Sequence, residues 1–410
     1  MASAADLPVE LVEEIFLRLD DAADLARASA ASAAFHRVVS DARFLRRFTS
    51  LHRPPVLGLL RRGLRFHPAE PPRRSAQAAR AVARAAGFCS SFLPGNPTEH
   101  YWRIYDARDG RVLLSPSRMN SDAAAICCLS FSYLVVYDPL HHKHVRIPPI
   151  PNDLVACTCT EQHDCSCCCD CDCKFDPFLV PAAADEDDLS FRVMCTVLPR
   201  GSNVLETFVY SSVTGKWRCV ASVSDAYYKH VHYLSYIERH YADGCFYWAD
   251  SCKENMLVLD TNEMKFSIVR VPPGPTDDAK VLVKAEEGKI GWLWLVLREN
   301  TLHLYSEASG SANDCGLWCH DAVVTLRYSY QWFYGGAADE GYALLQGIPK
   351  GEYVAWVRSK QSNEKTTPKT NAHYFTVELQ TLVAEQLCVT EFDTEPAFLY
   401  ASFPPPFALP

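Results

Sequence analysis

Residues 102–115, WRIYDARDGRVLLS, consist of an apolar strand, a polar turn and a returning apolar strand. The same order recurs further along the chain, clearly at 133–149, 206–220 and 256–272 and more loosely at 342–358 and 374–387. Short apolar runs separated by Gly, Asp, Ser or Pro are the pattern of antiparallel hairpins. The chain from about residue 54 onward is therefore predicted to be all-β.

The turns of these hairpins begin at aspartate or serine, whose side chains can accept hydrogen bonds from the backbone two residues further on. The predicted turn starts are Asp106, Asp138, Ser211, Asp260 and Ser306. A second recurring piece is an aromatic strand that follows a tight turn, in DGCFYWAD (243–250), KIGWLWLVL (289–297) and KGEYVAWVR (350–358). Aromatic side chains at alternate positions are what the core between stacked sheets requires.

The spacing of the turn starts is irregular but fits a unit of roughly 45–50 residues, the length of one four-stranded propeller blade. Gly335-Gly336 is similar to the glycine pair of kelch repeats, whereas the Gly-His and Trp-Asp signatures of other propellers are absent from the sequence. The sequence thus predicts a degenerate, kelch-like β-propeller of about six to eight blades. A β-sandwich or a pair of β domains would contain the same hairpins, and both stay open as alternatives.

The N-terminal residues have helical periodicity instead. In DLPVELVEEIFLRL (6–19), Pro8 suits the first turn of a helix, where a missing N–H costs nothing. Apolar residues follow at helical spacing: Leu11, Val12, Ile15, Phe16 and Leu19. Two further helices are predicted over 21–32 and 33–48. Periodicity alone does not distinguish a first helix that packs on the following domain from one that binds a partner.

Residues 7–48 resemble an F-box. They contain the Leu-Pro opening, the Glu-Leu-x-x-Glu-Ile-x-x-Arg-Leu helix, the Asp-Leu start of a second helix and Phe-His-Arg-Val-Val-Ser-Asp before Phe44-Leu45. The resemblance implies a three-helix module over residues 1–50 that docks on the adaptor subunit of an SCF-type ubiquitin ligase. The adaptor-binding residues that it implies are Leu7, Pro8, Leu11, Ile15, Leu19, Leu25, Ala28 and Phe35.

Residues 28–32, ASAAS, depart from the larger side chains of many F-boxes. Smaller side chains bury less apolar area at an interface, so we expect this segment to weaken adaptor binding.

The layout of the whole chain resembles that of plant, especially grass, F-box proteins with a C-terminal F-box-associated propeller. The landmarks that carry this resemblance are LHRPPVLGLL, CSSFLPG, WRIYDARDGRVLL, LVVYDPLHHKHVRIPPIP and DGCFYW, in that order. The resemblance implies a propeller over 54–403, with 75–93 and 152–188 as loop insertions and 404–410 as a tail.

Eight of the 18 cysteines fall within residues 157–173, CTCTEQHDCSCCCDCDC. Their spacing is mostly Cys-x-Cys, whereas structural zinc sites use two Cys-x-x-Cys pairs separated by a folded knuckle. A low-complexity loop without a dedicated ligand or cofactor is the favoured interpretation; soft-metal binding and redox chemistry are the alternatives. The thiols concerned are those of Cys157, Cys159, Cys165, Cys167, Cys168, Cys169, Cys171 and Cys173.

The composition limits the function classes. The net charge of −9 argues against nucleic acid or an anionic membrane as a partner, and no apolar run approaches the roughly 20 residues that span a bilayer. The N-terminus lacks the pattern of a secretory signal, so we expect a cytoplasmic and/or nuclear protein. The sequence contains no nucleophile elbow, no phosphate-binding glycine loop and no metalloprotease motif, which predicts a protein that is not an enzyme.

These observations predict a substrate receptor of a ubiquitin ligase. The F-box would dock on the adaptor, and the propeller would hold an unknown target protein during its ubiquitination. One alternative is a propeller interaction module with no ligase role, whose N-terminal helices pack internally. Another is a soft-metal-binding regulator that acts through the Cys-rich loop.

Overall fold

The fold combines a small helical part with a large β part. The computed structural model describes residues 7–19, 22–52, 54–94, 100–118, 133–151, 153–155, 174–181, 190–198, 204–224, 238–242, 244–249, 255–270, 279–284, 290–307, 318–339, 341–361, 369–393 and 396–402. Within these residues, four short helices precede six antiparallel sheets that form a six-blade β-propeller. The predicted fold class is confirmed, and the number of blades is at the lower end of the expected range.

The described N-terminal helices are α1 (Val9–Phe16), α2 (Ala22–Ala31), α3 (Ala33–Val39) and α4 (Ala42–Leu51). The prediction of one helix over 33–48 is wrong, because this segment forms two helices, α3 and α4. The chain leaves helical geometry at Asp41, whose carboxylate accepts hydrogen bonds from the N–H groups of Arg43 at 2.9 Å and Phe44 at 3.1 Å. An aspartate in this position caps a new helix, so α3 ends and α4 begins.

The four helices share a core of their own. Phe16 of α1 lies at its centre, with its ring edge-to-face with Phe35 at 5.2 Å and with Phe44 at 6.5 Å between centroids. His52, just after α4, hydrogen-bonds through Nε2 to the carbonyl oxygen of Leu17 at 2.7 Å. The buried members of this core are Val12, Phe16, Leu17, Leu25, Val38, Val39, Phe44 and Phe48. All of them come from the helical part, which therefore has a core separate from those of the propeller.

One sheet brings the beginning and the end of the propeller together. It contains β1 (Val56–Arg61) and β2 (Arg65–Pro68) and, from the far end of the chain, β23 (Phe398–Ala401), with β1 in the middle. We call it the closing sheet. Because β1 pairs antiparallel with β23 from Leu60↔Phe398 to Val56↔Ala401, backbone hydrogen bonds close the ring of blades.

Each of the other five sheets has four strands that are consecutive in the chain. Their strands are β3 (His100–Arg108), β4 (Arg111–Arg118), β5 (Leu134–Asp138) and β6 (Lys143–Ile147); β7 (Lys174–Val180), β8 (Arg192–Leu198), β9 (Val204–Ser211) and β10 (Lys216–Ser224); β11 (Glu238–Ala242), β12 (Cys245–Ala249), β13 (Asn255–Asp260) and β14 (Lys265–Arg270); β15 (Ala279–Lys284), β16 (Ile290–Val296), β17 (Thr301–Glu307) and β18 (Trp318–Thr325); and β19 (Tyr330–Asp339), β20 (Tyr342–Pro349), β21 (Asn371–Glu378) and β22 (Ala384–Glu391). The hairpins predicted at 102–115, 133–149, 206–220, 256–272 and 374–387 are confirmed as β3–β4, β5–β6, β9–β10, β13–β14 and β21–β22.

Apolar clusters fill the space between neighbouring blades. Phe178 of β7, for example, packs on Phe246 and Trp248 of β12, in the next sheet, at 4.4 and 5.9 Å between ring centroids. Trp292 and Trp294 of β16 share a cluster with Tyr247 of β12. The aromatic strands recognised in the sequence therefore supply the layers between blades, which is the packing that a propeller requires.

The turn chemistry is confirmed at two of the predicted turn starts. Asp138 accepts from the N–H groups of Leu140 and His141 at 3.0 and 3.1 Å. Asp260 makes the equivalent bonds in the β13–β14 turn, to residues 262 and 263 at 2.7 and 3.0 Å. The prediction is wrong for Asp106, which lies within β3; the chain turns at Asp109–Gly110, where both φ angles are positive.

Three other predictions need correction. Within the predicted loop insertion 75–93, residues Ala76–Ala85 form a helix, α5, which buries Ala79 and Val82 against β1 and β2. Within the predicted insertion 152–188, Lys174–Val180 is β7, a full member of its sheet. The segment KGEYVAWVR is not a strand but the first part of helix α6 (Lys350–Gln361), because Tyr353 and Trp356, one helical turn apart, pack on Phe333 and Phe392.

The strand directions define two faces of the propeller. We call the face where β23 ends and β1 begins the closure face, and the other the open face. Arg61, at the end of β1, donates to Thr390 and to the carbonyl oxygen of Glu391 at the end of β22, so β22 also ends on the open face. Since paired strands are antiparallel, β21 ends on the closure face and β20 ends on the open face. The helix α6, which joins β20 to β21, therefore lies on the open face, away from the point where the chain arrives from α4.

Candidate partner-binding surfaces

Helix α1 presents two rows of apolar side chains in different directions. Val12 and Phe16 point into the helical core, while Leu7, Leu11 and Ile15, at intervals of four residues, are 41%, 52% and 51% exposed. Leu11 and Ile15, four residues apart, lie on one face of the helix, and Leu7 is exposed just before it; we call these three side chains the α1 row. Isolated exposed leucines are common, but an aligned row of large apolar side chains on one helix is typical of a binding face.

The other residues predicted to contact an adaptor differ in their exposure. Pro8 is exposed and precedes α1 with φ −53° and ψ 143°, which fixes how the chain enters the helix. Leu19, Ala28 and Phe35 are partly buried against the helical core, so each has one side in it and one outside. Leu25 is only 5% exposed and belongs to the core itself. The structure therefore brings Leu7, Pro8, Leu11 and Ile15 together on the surface and does not place Leu25 beside them.

The orientation of α1 is fixed by contacts to α4. The carboxylate of Glu14 pairs with the guanidinium of Arg47 at 2.7 Å, and the imidazole of His52 holds the last turn of α1. Both partners of the ion pair are about half exposed, so the pair itself contributes little to stability. Its consequence is geometric: α1 cannot turn about its axis to bury the α1 row without losing these contacts.

A polar cluster joins the innermost strands of three consecutive blades. Arg239 of β11 donates to Asp176 of β7 at 2.5 Å and lies 3.6 Å from the carboxylate of Asp106 of β3. Asp106 also accepts from the backbone N–H of Leu179 at 2.9 Å, and the indole N–H of Trp248 donates to Asp176 at 3.2 Å. Each carboxylate has bonds from two sources, so the cluster holds the blades together and offers no free acid or base for catalysis.

Sequence patterns do not reveal this cluster, since they predict a turn at Asp106 and a loop around Asp176. The available signal is weak, because each of the three strands contains more than one charged residue and only the strand order shows which of them meet.

Several buried titratable groups of the propeller have shifted pKa values. Burial, and secondarily the positive charge of Arg239, lowers the pKa of His240 to about 3, so the imidazole is neutral in the folded protein. Burial raises the pKa of the Cys195 thiol well above its usual range and that of Cys388 to about 12. Both cysteines are therefore protonated thiols in the core, where they are unreactive.

Metal binding has no support among the residues that the structure describes: they contain no group of three or more His, Cys, Asp or Glu side chains that would hold an ion. His141, in the turn between β5 and β6, pairs with Asp138 at 2.6 Å instead. The eight cysteines of the predicted Cys-rich loop, from Cys157 to Cys173, lie outside the described residues. In the described part of the chain, the helices are too short or too polar to cross a membrane.

Comparison with known families identifies the helical part. Residues 4–50 match the F-box-like family. The N-terminal helices are an F-box-like domain. Domains of this kind bind SKP1-type adaptors, and a β-propeller is a protein-binding fold. No curated protein matches the chain.

Solved structures resemble the propeller only distantly. The WD40 domain of SCAP from fission yeast is 7% identical, with a TM-score of 0.32, over 74% of this chain and 89% of that one. An exo-β-1,3-galactanase from Phanerochaete chrysosporium is 10% identical, with a TM-score of 0.34, over 71% of this chain and 64% of that one. YCF48 bound to D1 peptide is 8% identical, with a TM-score of 0.31, over 70% of this chain and 77% of that one.

Proposed function

We propose that this protein is the substrate-recognition subunit of an SCF-type ubiquitin ligase. Its F-box-like domain docks on the adaptor subunit, and its propeller holds a target protein so that ubiquitin is transferred to it. The protein performs no bond chemistry and needs no cofactor; it positions its target. It acts in the cytoplasm and/or the nucleus, without nucleic acid or membrane as a partner.

The α1 row is the observation that carries this proposal. In an F-box-like domain, three large apolar side chains at 41%, 52% and 51% exposure face solvent, while Val12 and Phe16 of the same helix are buried in the helical core. Burying a leucine or isoleucine side chain in a partner contributes about 1.5–3 kcal/mol, so the row is sufficient for a specific interface. Pro8, Leu19, Ala28 and Phe35 complete the contact, and Leu25 supports it from inside the core.

The two alternatives predicted from the sequence have less support. A propeller module whose N-terminal helices pack internally would bury the α1 row, and these side chains are exposed instead. A soft-metal regulator would act through Cys157–Cys173, and nothing described in the structure favours it.

The propeller is of the kelch-like, F-box-associated type of plant, especially grass, F-box proteins. The sequence landmarks from LHRPPVLGLL to DGCFYW support this assignment. The six-blade ring and the antiparallel order within each sheet agree with it.

Binding of the purified full chain to an SKP1-type adaptor tests the proposal. We expect Leu11→Ala/Ile15→Ala to lower the affinity about a hundredfold, because two side chains that the partner buries are truncated. The measurement is isothermal titration calorimetry of both proteins with the same adaptor preparation. Circular dichroism must show that the variant keeps its helices, since both side chains lie outside the helical core.

A matched control replaces two exposed valines of the propeller, Val213→Ala/Val383→Ala, and should leave adaptor affinity unchanged. If the wild-type chain does not bind the adaptor, the proposed function is wrong and the interaction module without a ligase role takes its place.

A further inference from the structure

Positive charge is concentrated in two stretches of the propeller. Residues 54–94 and 133–151 contain nine arginines and lysines and two acids, in a protein with 40 basic and 49 acidic residues. Two of the arginines, Arg61 and Arg73, are only 4% and 8% exposed and pair with Asp393 and Glu385. The other seven cations are exposed, and they belong neither to the α1 row nor to the polar cluster of the first blades.

Helix α5 and the turn between β5 and β6 bring these two stretches together. The imidazole Nε2 of His142 hydrogen-bonds to the carbonyl oxygen of Ala85, the last residue of α5, at 3.0 Å. The N–H of Gly87 donates to the carbonyl oxygen of Pro139 at 2.8 Å, and the hydroxyl of Tyr137 donates to the carbonyl oxygen of Gly87. These bonds fix the C-terminal end of α5 against the turn.

An aromatic side chain lies at this junction. The ring of Phe92 stacks on the imidazole of His142, with 4.3 Å between the ring centroids and an angle of 23° between the planes. A Cβ added at Gly87 would lie 2.6 Å from the same ring, so the glycine leaves the space that Phe92 occupies. Phe92 is nevertheless 39% exposed. A large apolar side chain that is held in place yet exposed is the kind of residue that anchors an interface.

Exposed cations come from both elements of the junction. Arg80 and Arg84, four residues apart, share the exposed side of α5, and Lys143 directly follows His142. Arg80 bonds only to a carbonyl oxygen of its own helix, that of Ala76 at 3.3 Å. Within the described residues, Arg84 and Lys143 make no hydrogen bond or ion pair. An anionic partner would therefore meet these cations without displacing an existing ion pair.

The two acids of these stretches do not neutralise the junction. Asp138 accepts from the N–H groups of Leu140 and His141 and pairs with the His141 imidazole at 2.6 Å. Glu70 precedes the other end of α5, six residues before Ala76. The end of α5 and the β5–β6 turn therefore present positive charge near Phe92, in a chain whose net charge is −9.

The size of this surface distinguishes between two anionic partners. Nucleic acid gains its affinity from many phosphate contacts, roughly 6–10 in a typical complex, and a net negative protein repels so long a polyanion. An acidic protein segment needs only a few carboxylates, and it also provides apolar side chains that pack on an aromatic ring. Three cations around one phenylalanine therefore favour a protein segment.

We propose that Phe92, Arg80, Arg84 and Lys143 form a docking site for an acidic segment of the target protein. One apolar side chain of that segment packs on Phe92, and its carboxylates pair with the two guanidinium groups and the ammonium group. Charge complementarity selects this partner chemistry, and the apolar contact supplies affinity. The inference rests on the proposed function only for the identity of the partner as a ubiquitination target.

Fluorescence anisotropy with the full chain tests the inference. The probe is a labelled 12-residue peptide of aspartate and glutamate with one central leucine, and its matched partner has asparagine and glutamine in place of the acids. We expect only the acidic peptide to bind, with a steep loss of affinity at high salt. Arg84→Glu/Lys143→Glu should weaken this binding about tenfold, because two attractions become repulsions.

A second peptide isolates the apolar contact. Phe92→Ala should weaken binding of the leucine peptide, but it should have little effect on an acidic peptide with a central alanine, which has nothing to pack on the ring. Phe92→Leu keeps an apolar group and should keep most of the affinity. An equal loss for both peptides in the Phe92→Ala variant would contradict the role of Phe92 as the anchor.

A matched variant controls for general charge effects. Lys216→Glu/Lys265→Glu changes the net charge by the same amount at two exposed lysines that begin β10 and β14, as Lys143 begins β6. It should leave peptide binding unchanged. An equal loss in this control, equal binding of the neutral peptide, or binding of a 12-nucleotide single-stranded DNA as tight as that of the acidic peptide overturns the docking site.

Adaptor binding measured on the same samples separates the two proposals. Acidic-peptide binding that fails while the adaptor binds rejects the site at Phe92 and leaves the ligase role. Adaptor binding that fails while the acidic peptide binds rejects the ligase role and leaves an acidic-segment site on the propeller.

Discussion

Single residues near the propeller axis decide how the first blades hold together. Arg239 is the one cation that Asp106 and Asp176, on two other blades, both contact among the described residues. Its guanidinium also lies 4.4 Å from the ring centroid of Phe178. A planar group with several donors suits this position, because it serves two carboxylates and a ring at once.

We expect Arg239→Met to lower the free energy of unfolding by about 2–3 kcal/mol, because two largely buried carboxylates would lose their counter-charge. Urea unfolding followed by tryptophan fluorescence measures this. Arg218→Met, at an exposed arginine of β10, is the control and should change stability by less than about 0.5 kcal/mol. Equal stability of the Arg239 variant and the wild type would show that the cluster is not a structural link.

His240 makes stability depend on pH. Its pKa is about 3 in the folded protein, against 6.5 when exposed, so between these values the unfolded chain binds a proton that the folded protein does not. The free energy of unfolding therefore falls by about 1.4 kcal/mol per pH unit as the pH drops below 6.5, and this contribution is constant above it.

The test compares urea unfolding of the wild type and His240→Gln from pH 7 down to pH 5. Carboxyl groups titrate in both proteins, so the difference between the two slopes isolates the histidine. His144→Asn, at an exposed histidine, should keep the wild-type slope. Parallel slopes for wild type and His240→Gln would contradict the prediction.

Among the elements, α4 depends on one capping side chain. Asp41 is exposed and satisfies two N–H groups at the start of this helix, which carries Phe44 and Phe48 into the helical core. We expect Asp41→Ala to destabilise the helical part by about 1 kcal/mol, whereas Asp41→Asn keeps an acceptor and most of the stability. Hydrogen exchange of the amides in α4 reports this directly; equal protection in the alanine variant would rule out the cap as the reason for the helix break.

The elements also show what sequence patterns can and cannot predict. Hairpins such as β13–β14 were predictable because alternating apolar residues and a turn aspartate are local signals. The α6 segment was not, since Tyr353, Val354, Trp356 and Val357 suit a strand as well as a helix. The helix is favoured because it lets Tyr353 and Trp356 pack on Phe333 and Phe392, which are distant in the sequence.

The candidate site likewise contains residues that the sequence predicts correctly and others whose placement requires the structure. The α1 row was predictable because its residues repeat every four positions, but the exclusion of Leu25 required knowledge of the helical core. The position of α6 on the open face was not predictable either, because the strand order of a whole blade determines it.

For the whole molecule, the closing sheet is the decisive structure. β1 and β23 are joined by backbone pairing, Arg61 donates to Thr390 at 2.8 Å, and the hydroxyl of Tyr400 donates to the carbonyl oxygen of Gly110 at 3.1 Å. Gly110 has a φ of +72°, and a Cβ there would lie 2.7 Å from Oγ of Ser402. These contacts tie the closing sheet to the blades on both sides of it.

Removal of residues 398–410 should therefore abolish cooperative unfolding of the propeller, because β1 and β3 lose the strand between them. Removal of 403–410 alone keeps β23 and should leave the thermal transition unchanged. Differential scanning calorimetry of both truncations measures the effect. A wild-type transition in the shorter chain would mean that the ring does not depend on β23.

The closing sheet cannot form until the ribosome has made almost the whole chain, because its strands come from the two ends of the propeller. Val56, Leu57, Leu59 and Leu60 of β1 are almost fully buried in the finished ring, yet the ribosome makes them long before β23. At about 5–20 residues per second, synthesis from Arg61 to Ala401 takes roughly 20–70 s. During that interval an apolar strand edge is without its partner, so we expect the nascent chain to be prone to aggregation. The helical part, complete by residue 52, can fold well before the ring is sealed.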